Sequence, residues 1–291
     1  MDKVLIFDLS NILYSSFFVM NNDKRLLLEE DKKDYWRYLI LSDILNIKKR
    51  YNPKEIILAI DSKNTWRKDV FKYYKARRVF RKQKSPIDWD DFHKTADDIL
   101  EGLSENFPCK TIKVKKAEAD DIIATLALNL KQDKQVIIAT KDKDFKQLLI
   151  HDDFTNNIII YDLYSREEMI CDDPVMFRML HILKGDSGDD VPNILSDDNV
   201  FVTDGKRQKR ITQKVIGEML ELGLEQFAIK HGVIDNYERN CKLIDLDLNT
   251  IPEEIQIETM EQYNNNKVNG TFETLMKYIN DNNMYSLLEE I

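Results

Sequence analysis

Glycine and proline are scarce in this chain, with eight and six residues, which argues against an all-β fold rich in tight turns. Cysteine is scarcer still. Cys109, Cys171 and Cys241 are far apart, form no CxxC pair and are odd in number, which fits a reducing compartment rather than a disulfide framework. The four histidines, His93, His151, His181 and His231, are also dispersed. With no HExxH or other ligand spacing among them, neither a zinc site nor a Ser-His-Asp triad is expected. Long apolar runs are missing too, and Asp8 interrupts the opening MDKVLIFDL. No signal peptide or transmembrane helix is expected, and a cytoplasmic location follows. The glycine motifs of Rossmann and P-loop proteins are absent. Ser10 stands where a haloacid-dehalogenase phosphatase needs its second Asp, and Gln147 and Val191 stand where an EF-hand needs its glycine.

What is abundant is charge, at 33% of the residues. A chain of 291 residues can bury a sizeable core, so one large α/β domain, alone or with a helical appendage, is expected. Its focus is the stretch from Ala117 to Leu149. Glu118, Asp120 and Asp121 open a helix whose apolar residues run from Ile122 to Leu130. Val136–Ala139 then reads as a buried parallel strand, followed by Asp142 and Asp144. A helix leading into a parallel strand puts the helix N-terminus and the strand C-terminus at one edge of the sheet, where open α/β sheets bind ligands. Crowded carboxylates raise one another's pKa, and a divalent cation removes that cost. Hard oxygen donors point to Mg²⁺ or Mn²⁺.

Elsewhere the same placement recurs. Lys3–Leu9 predicts a first strand bearing Asp8, and Glu55–Ile60 a second strand followed by Asp61. Helices are expected at 35–50, 89–103 and 215–224, and strands at 110–115 and 157–161. Gly185–Asn193, GDSGDDVPN, is a loop with Asp186, Asp189 and Asp190. After Pro252 a polar, Asn-rich appendage is expected, helical near 272–288.

The net charge of −9 hides a local excess of cations. Between Lys63 and Lys84 there are ten basic residues and one acid, interleaved with Trp66, Phe71, Tyr73, Tyr74 and Phe80. Cations for phosphates and rings for bases suit single-stranded nucleic acid; a solvated basic helix with core aromatics is the plain alternative. A second basic run is Gly205–Lys214.

In order, Asp8, Asp61, Tyr74-Lys75-Ala76-Arg77-Arg78, Glu118-Ala-Asp120-Asp121, Thr140-Lys-Asp142-Lys-Asp144 and Gly185-Asp186-Ser-Gly-Asp189 resemble the motifs of the 5′-nuclease (flap endonuclease) family. GDSGDDVPN followed by ILSDDNVF, with the later Arg239-Asn240-Cys-Lys-Leu-Ile-Asp245, resembles its T-even phage ribonuclease H branch. The resemblance implies a PIN-like, mostly parallel sheet with helices on both faces, a helical arch, and a helical, duplex-binding C-terminal region, with residues 1–184 and 185–291 as the two parts. It implies two divalent ions, Mg²⁺ with Mn²⁺ as a substitute, held by Asp8, Asp61, Glu118, Asp120, Asp142, Asp144, Asp186 and Asp189, with Asp121 and Asp190 behind them. Lys75 and Arg78 correspond to the basic pair that contacts the scissile phosphate. Arg67, Lys72, Tyr74, Arg77, Arg81 and Lys82 become nucleic-acid contacts. The family's glycine-containing helix-hairpin-helix turn is interrupted here by 195–210, so Lys206, Arg207, Lys209, Arg210 and Lys214 are carried as generic phosphate contacts. The implied activity is 5′-3′ exonuclease and flap endonuclease cleavage with removal of RNA primers in phage-type replication. Its partners would be an RNA-DNA hybrid, 5′-flap or nicked duplex DNA and a single-stranded-DNA-binding protein, and the protein a monomer. A single-strand-specific PIN-type ribonuclease and a non-catalytic nucleic-acid-binding scaffold stay open as alternatives.

Overall fold

The computed structural model describes residues 1–23, 29–152 and 156–289. Strands β1 (Asp2–Asp8), β2 (Glu55–Ala59), β3 (Lys110–Ile112), β4 (Lys134–Thr140), β5 (Ile158–Asp162) and β6 (Glu167–Glu168) form one sheet in the order β3-β2-β1-β4-β5-β6. All neighbours are parallel except the edge pair β5 and β6. The helices are α1 (Leu9–Asn22), α2 (Glu29–Tyr51), α3 (Arg67–Val70), α4 (Ala76–Lys84), α5 (Trp89–Asn106), α6 (Ala119–Leu130), α7 (Pro174–Lys184), α8 (Gln213–Leu222), α9 (Leu224–Lys230), α10 (Ile234–Ile244), α11 (Glu253–Asn265) and α12 (Phe272–Asp281). Short 3₁₀ segments occupy Lys143–His151 and Tyr285–Glu289.

The strands are continuous apolar runs because both faces of the sheet are covered. Within β1, Leu5 and Phe7 join one core, with residues of α1, α2 and α5, while Val4 and Ile6 join the other, with residues of α6. From β1 the chain steps outward to β2 and β3. Helix α6 then carries it back to β4 on the opposite side of β1. The direction of winding therefore reverses between β1 and β4, which opens a crevice at their carboxyl ends.

Strand β3 ends at Ile112, short of the expected Lys115. The Gln262 side chain of α11 takes over there, its Oε1 accepting from Lys113 N at 3.1 Å and its Nε2 donating to Lys113 O at 3.0 Å. A third core joins Phe71 and Tyr74 to α7, α8, α9 and α10. Helix α7 was not expected from the sequence, although Asp173 caps its start, Pro174 opens it and Gly185 follows its last residue. The tail is not an appendage: Ile255 and Tyr263 of α11 enter the α6 core, and Leu275 and Ile279 of α12 enter the opposite one.

Candidate metal centre and nucleic-acid interface

Asp8 ends β1 and caps α1, accepting from Asn11 N at 3.1 Å. Its other oxygen accepts from Thr140 Oγ1 of β4 at 2.9 Å. That hydroxyl accepts from Asp142 N at 3.0 Å, and Asp142 Oδ1 from Asp144 N at 2.8 Å, so one chain of hydrogen bonds ties the two central strand ends together. Asp61, just past β2, accepts from Ala119 N at 2.7 Å. This fixes it against the first turn of α6, whose free N–H groups favour negative charge.

Asp120 and Asp142 line two clefts. One, of 350 Å³, also holds Asp8, Asp61, Glu118 and Tyr14; the other, of 320 Å³, holds Asp144, His181, Asp186 and Asp189. Lys75 and Arg78 line both. Burial and the charge of Asp61 raise Asp8 to about 7. Burial, Asp142, Asp186 and Asp189 raise Asp144 to about 8. Asp120 is pushed well up by burial and by Asp142 and Asp8, and Asp142 is raised by burial and by Asp186 and Asp189. Glu118 differs. Burial would raise it, but Lys75 and Arg67 outweigh that and hold it at about 2.

This donor set fits divalent cations: hard oxygens, several reluctant to ionise together, plus a buried His181 Nδ1 that makes no hydrogen bond. Asp144, His181 and Asp186 each offer one ligand atom, all within 4.8 Å of one another; theirs is the one such group of three among the described residues. The dispersed histidine spacing did not reveal His181. Its signal is position, five residues before Asp186 at the end of the helix that enters the loop.

The loop itself is clamped at both ends. Gly185 has φ 69°, and a Cβ there would lie 2.3 Å from Val191 O, so no other residue fits. From α10, buried Asn240 donates to Ile182 O at 2.8 Å and to Pro192 O at 2.9 Å, and Arg239 Nη2 to Pro192 O at 3.1 Å. Gly188 N donates to Asp186 Oδ1 at 2.7 Å.

Lys75 adopts a left-handed backbone, φ 57°, and donates its own N–H to Asp189 O at 2.8 Å. Its ammonium pairs with Glu118 and lies 3.4 Å from Asp189, which also pairs with Arg78. The basic segment is otherwise less open than expected. Arg67 is 2% exposed, with Nη1 3.0 Å from Glu118 and Nη2 2.8 Å from Asp121, and Nε donates to Leu243 O at 3.0 Å. Tyr74 is buried too, its hydroxyl 2.9 Å from both Glu118 and Asp189. Neither side chain is placed as a nucleic-acid contact: both hold the carboxylates. Arg77 is bound to Asp190, to Ser187 O at 2.7 Å and over the Phe201 ring. Fully buried Asp121 receives Trp66 Nε1 at 3.1 Å and Glu118 N at 2.9 Å. Trp66 and Phe71 are core residues, which leaves Tyr73 half-buried and Phe80 exposed. The cations of the segment that do face solvent are Lys63, Lys68, Lys72, Arg78, Arg81 and Lys84, with Lys82 half-buried over the Trp89 ring. Lys206, Arg207, Lys209, Arg210 and Lys214 are exposed, Lys206 lying 3.1 Å from Asp197.

Residues 3–178 match the family described as 5′-3′ exonuclease, N-terminal resolvase-like domain, and residues 172–291 match the one described as T4 RNase H, C terminal. The chain belongs to the 5′-3′ exonuclease family. Among relatives, ribonuclease H of Enterobacteria phage T4 is 26% identical over 282 residues, 92% of this chain and 88% of that protein. The 5′-3′ exonuclease of Buchnera aphidicola subsp. Schizaphis graminum is 32% identical over 203 residues, 66% of this chain and 65% of that one. The fold is shared with the bacteriophage T5 flap endonuclease, solved as a pseudo-enzyme-product complex with DNA and metal ions: TM-score 0.66, 17% identity, covering 90% of this chain and 98% of that one. As a member of the 5′-3′ exonuclease family with this mostly parallel sheet, the protein is a nuclease. Among the described residues no helix is long and apolar enough to cross a membrane.

Proposed function

We propose that the protein is a two-metal 5′-3′ exonuclease and flap endonuclease that removes RNA primers and adjacent DNA during phage-type replication. The observation that carries this is the gathering of Asp8, Asp61, Glu118, Asp120, Asp142, Asp144, Asp186 and Asp189 along two clefts that share Asp120 and Asp142 beneath Lys75 and Arg78. Bound there, two Mg²⁺ or Mn²⁺ ions supply an activated water and stabilise charge on the leaving oxygen. The chain's own residues do the rest. Thr140 and Ala119 N orient Asp8 and Asp61. Lys75 and Arg78 present positive charge to the phosphate as negative charge grows on it. Arg67 and Tyr74 keep Glu118 ionised and aimed. Exposed Lys72 and Arg81, with half-buried Lys82, guide the single strand, and the 206–214 cations in the 185–291 part contact the duplex backbone. A single-stranded-DNA-binding protein fits as a replication partner, and the protein as a monomer.

The test is cleavage of a 5′-labelled RNA-primed duplex and a 5′-flap DNA, each with Mg²⁺ and with EDTA. Short Mg²⁺-dependent products from the 5′ end are expected. Asp142→Asn should abolish them while binding persists; unchanged turnover in that variant would remove the metal assignment.

A further inference from the structure

His181 lines the second cleft with a buried ring nitrogen that makes no hydrogen bond. It lies on the last turn of α7, and Phe177, one turn earlier, packs edge-to-face against its ring with centroids 6.1 Å apart. Its Nδ1 is shut away from solvent without a hydrogen-bond partner, 3.5 Å from Asp144 Oδ1. A buried polar atom left so is unfavourable until something binds it. A ring nitrogen of His181 lies within 4.8 Å of ligand oxygens on Asp144 and Asp186, and the unpaired Nδ1 is the one beside Asp144. Two hard carboxylate oxygens and one imidazole nitrogen are thus gathered on the wall of one cleft.

We propose that His181 Nδ1 is a nitrogen ligand to the divalent ion held by Asp144 and Asp186. The two ion positions are then chemically unlike. That beside Asp8, Asp61 and Glu118 is all oxygen and suits Mg²⁺, whereas the one beside Asp144 is mixed and favours ions that accept imidazole, Co²⁺ and Zn²⁺ among them, with Mn²⁺ the weakest of the first-row series. The inference rests on the two-ion reading above, and its test separates the two.

The full chain, without nucleic acid, is titrated with Mn²⁺, counting bound ions by loss of the free Mn²⁺ electron paramagnetic resonance signal. Bound Mn²⁺ is then examined by pulsed resonance for directly bonded ¹⁴N. Two bound ions and a ¹⁴N coupling are expected in the natural protein. His181→Gln should lose the coupling and weaken one of the two ions by on the order of tenfold, while Asp61→Asn should keep the coupling. Two bound ions with no ¹⁴N coupling in the natural protein, or a coupling that survives His181→Gln, would overturn the ligand assignment and leave the two-ion reading standing. No stoichiometric Mn²⁺ binding at all would overturn both. The natural protein's spectrum is decisive even where a variant does not fold.

Discussion

Asp8 and Asp144 lie in different clefts, separated by the shared Asp120 and Asp142, yet both keep their protons into the neutral range, at about 7 and about 8. Their folded values stand above the ordinary carboxylate value of 3.8. The folded protein therefore binds more protons than the unfolded chain between those limits, and the contribution of these groups to stability is full at low pH and falls as pH rises through 7 and 8. Ion binding must displace the same protons. Calorimetric titration with Mg²⁺ should show affinity rising by about tenfold or more from pH 6 to pH 8, with net proton release, and the gain in melting temperature on adding Mg²⁺ should be larger at pH 8. Affinity that is flat across this range would show that these carboxyls are not the ligands. Arg67 poses a different question, because it was expected to contact nucleic acid and lies between Glu118 and Asp121. Arg67→Met leaves buried Asp121 without its ion-pair partner and Glu118 with Lys75 alone, and should cost about 3–5 kcal/mol in urea unfolding. A nucleic-acid contact would instead leave stability unchanged and flatten the salt dependence of binding.

At the level of elements, the loop 185–193 is the least replaceable. Gly185→Ala would force a Cβ against Val191 O and Pro192 C in a left-handed conformation, displacing Asp186 and Asp189 from the cleft. Cleavage should fall by at least about a hundredfold, the penalty expected of misplaced catalytic groups, with the sheet intact by circular dichroism; full activity would mean the loop tolerates rearrangement. Much of this architecture was legible in the sequence. The strands bearing Asp8 and preceding Asp61, and the α6–β4 unit, announce themselves because buried parallel strands are unbroken apolar runs and the acids sit at their ends. The segment 63–84 was less legible. Composition shows that cations and rings alternate, but which of them turn inward depends on Asp121 and the α10 carbonyl of Leu243, distant in sequence. His181 was hidden for the same reason, since its neighbours Asp144 and Asp186 belong to other elements.

Across the whole molecule, the chain's last part does not stand apart from its first. Leu246, Ile251, Ile255 and Tyr263 pack with α6 and the sheet, and Leu275, Ile279, Met284 and Leu287 pack on the opposite face with α5. Tyr263 also reaches Glu55 at 3.0 Å, at the start of β2, beside Lys134 at the start of β4. The polar, Asn-rich composition concealed this, although Ile255, Thr259 and Tyr263 recur at helical spacing along one buried face. Each of these apolar side chains contributes roughly 1.5–3 kcal/mol when buried, and together they rival the 5–15 kcal/mol that holds a whole domain folded. A chain ending after Asp247 therefore retains every proposed metal ligand and every proposed phosphate contact but uncovers apolar side chains in the cores on both faces of its sheet. Such a truncation is expected to aggregate or to unfold at far lower temperature, without yielding a smaller active nuclease. Soluble, cooperatively melting protein with Mg²⁺-dependent cleavage from residues 1–247 would show that α11 and α12 are dispensable cover, and that the 5′-nuclease core closes without them.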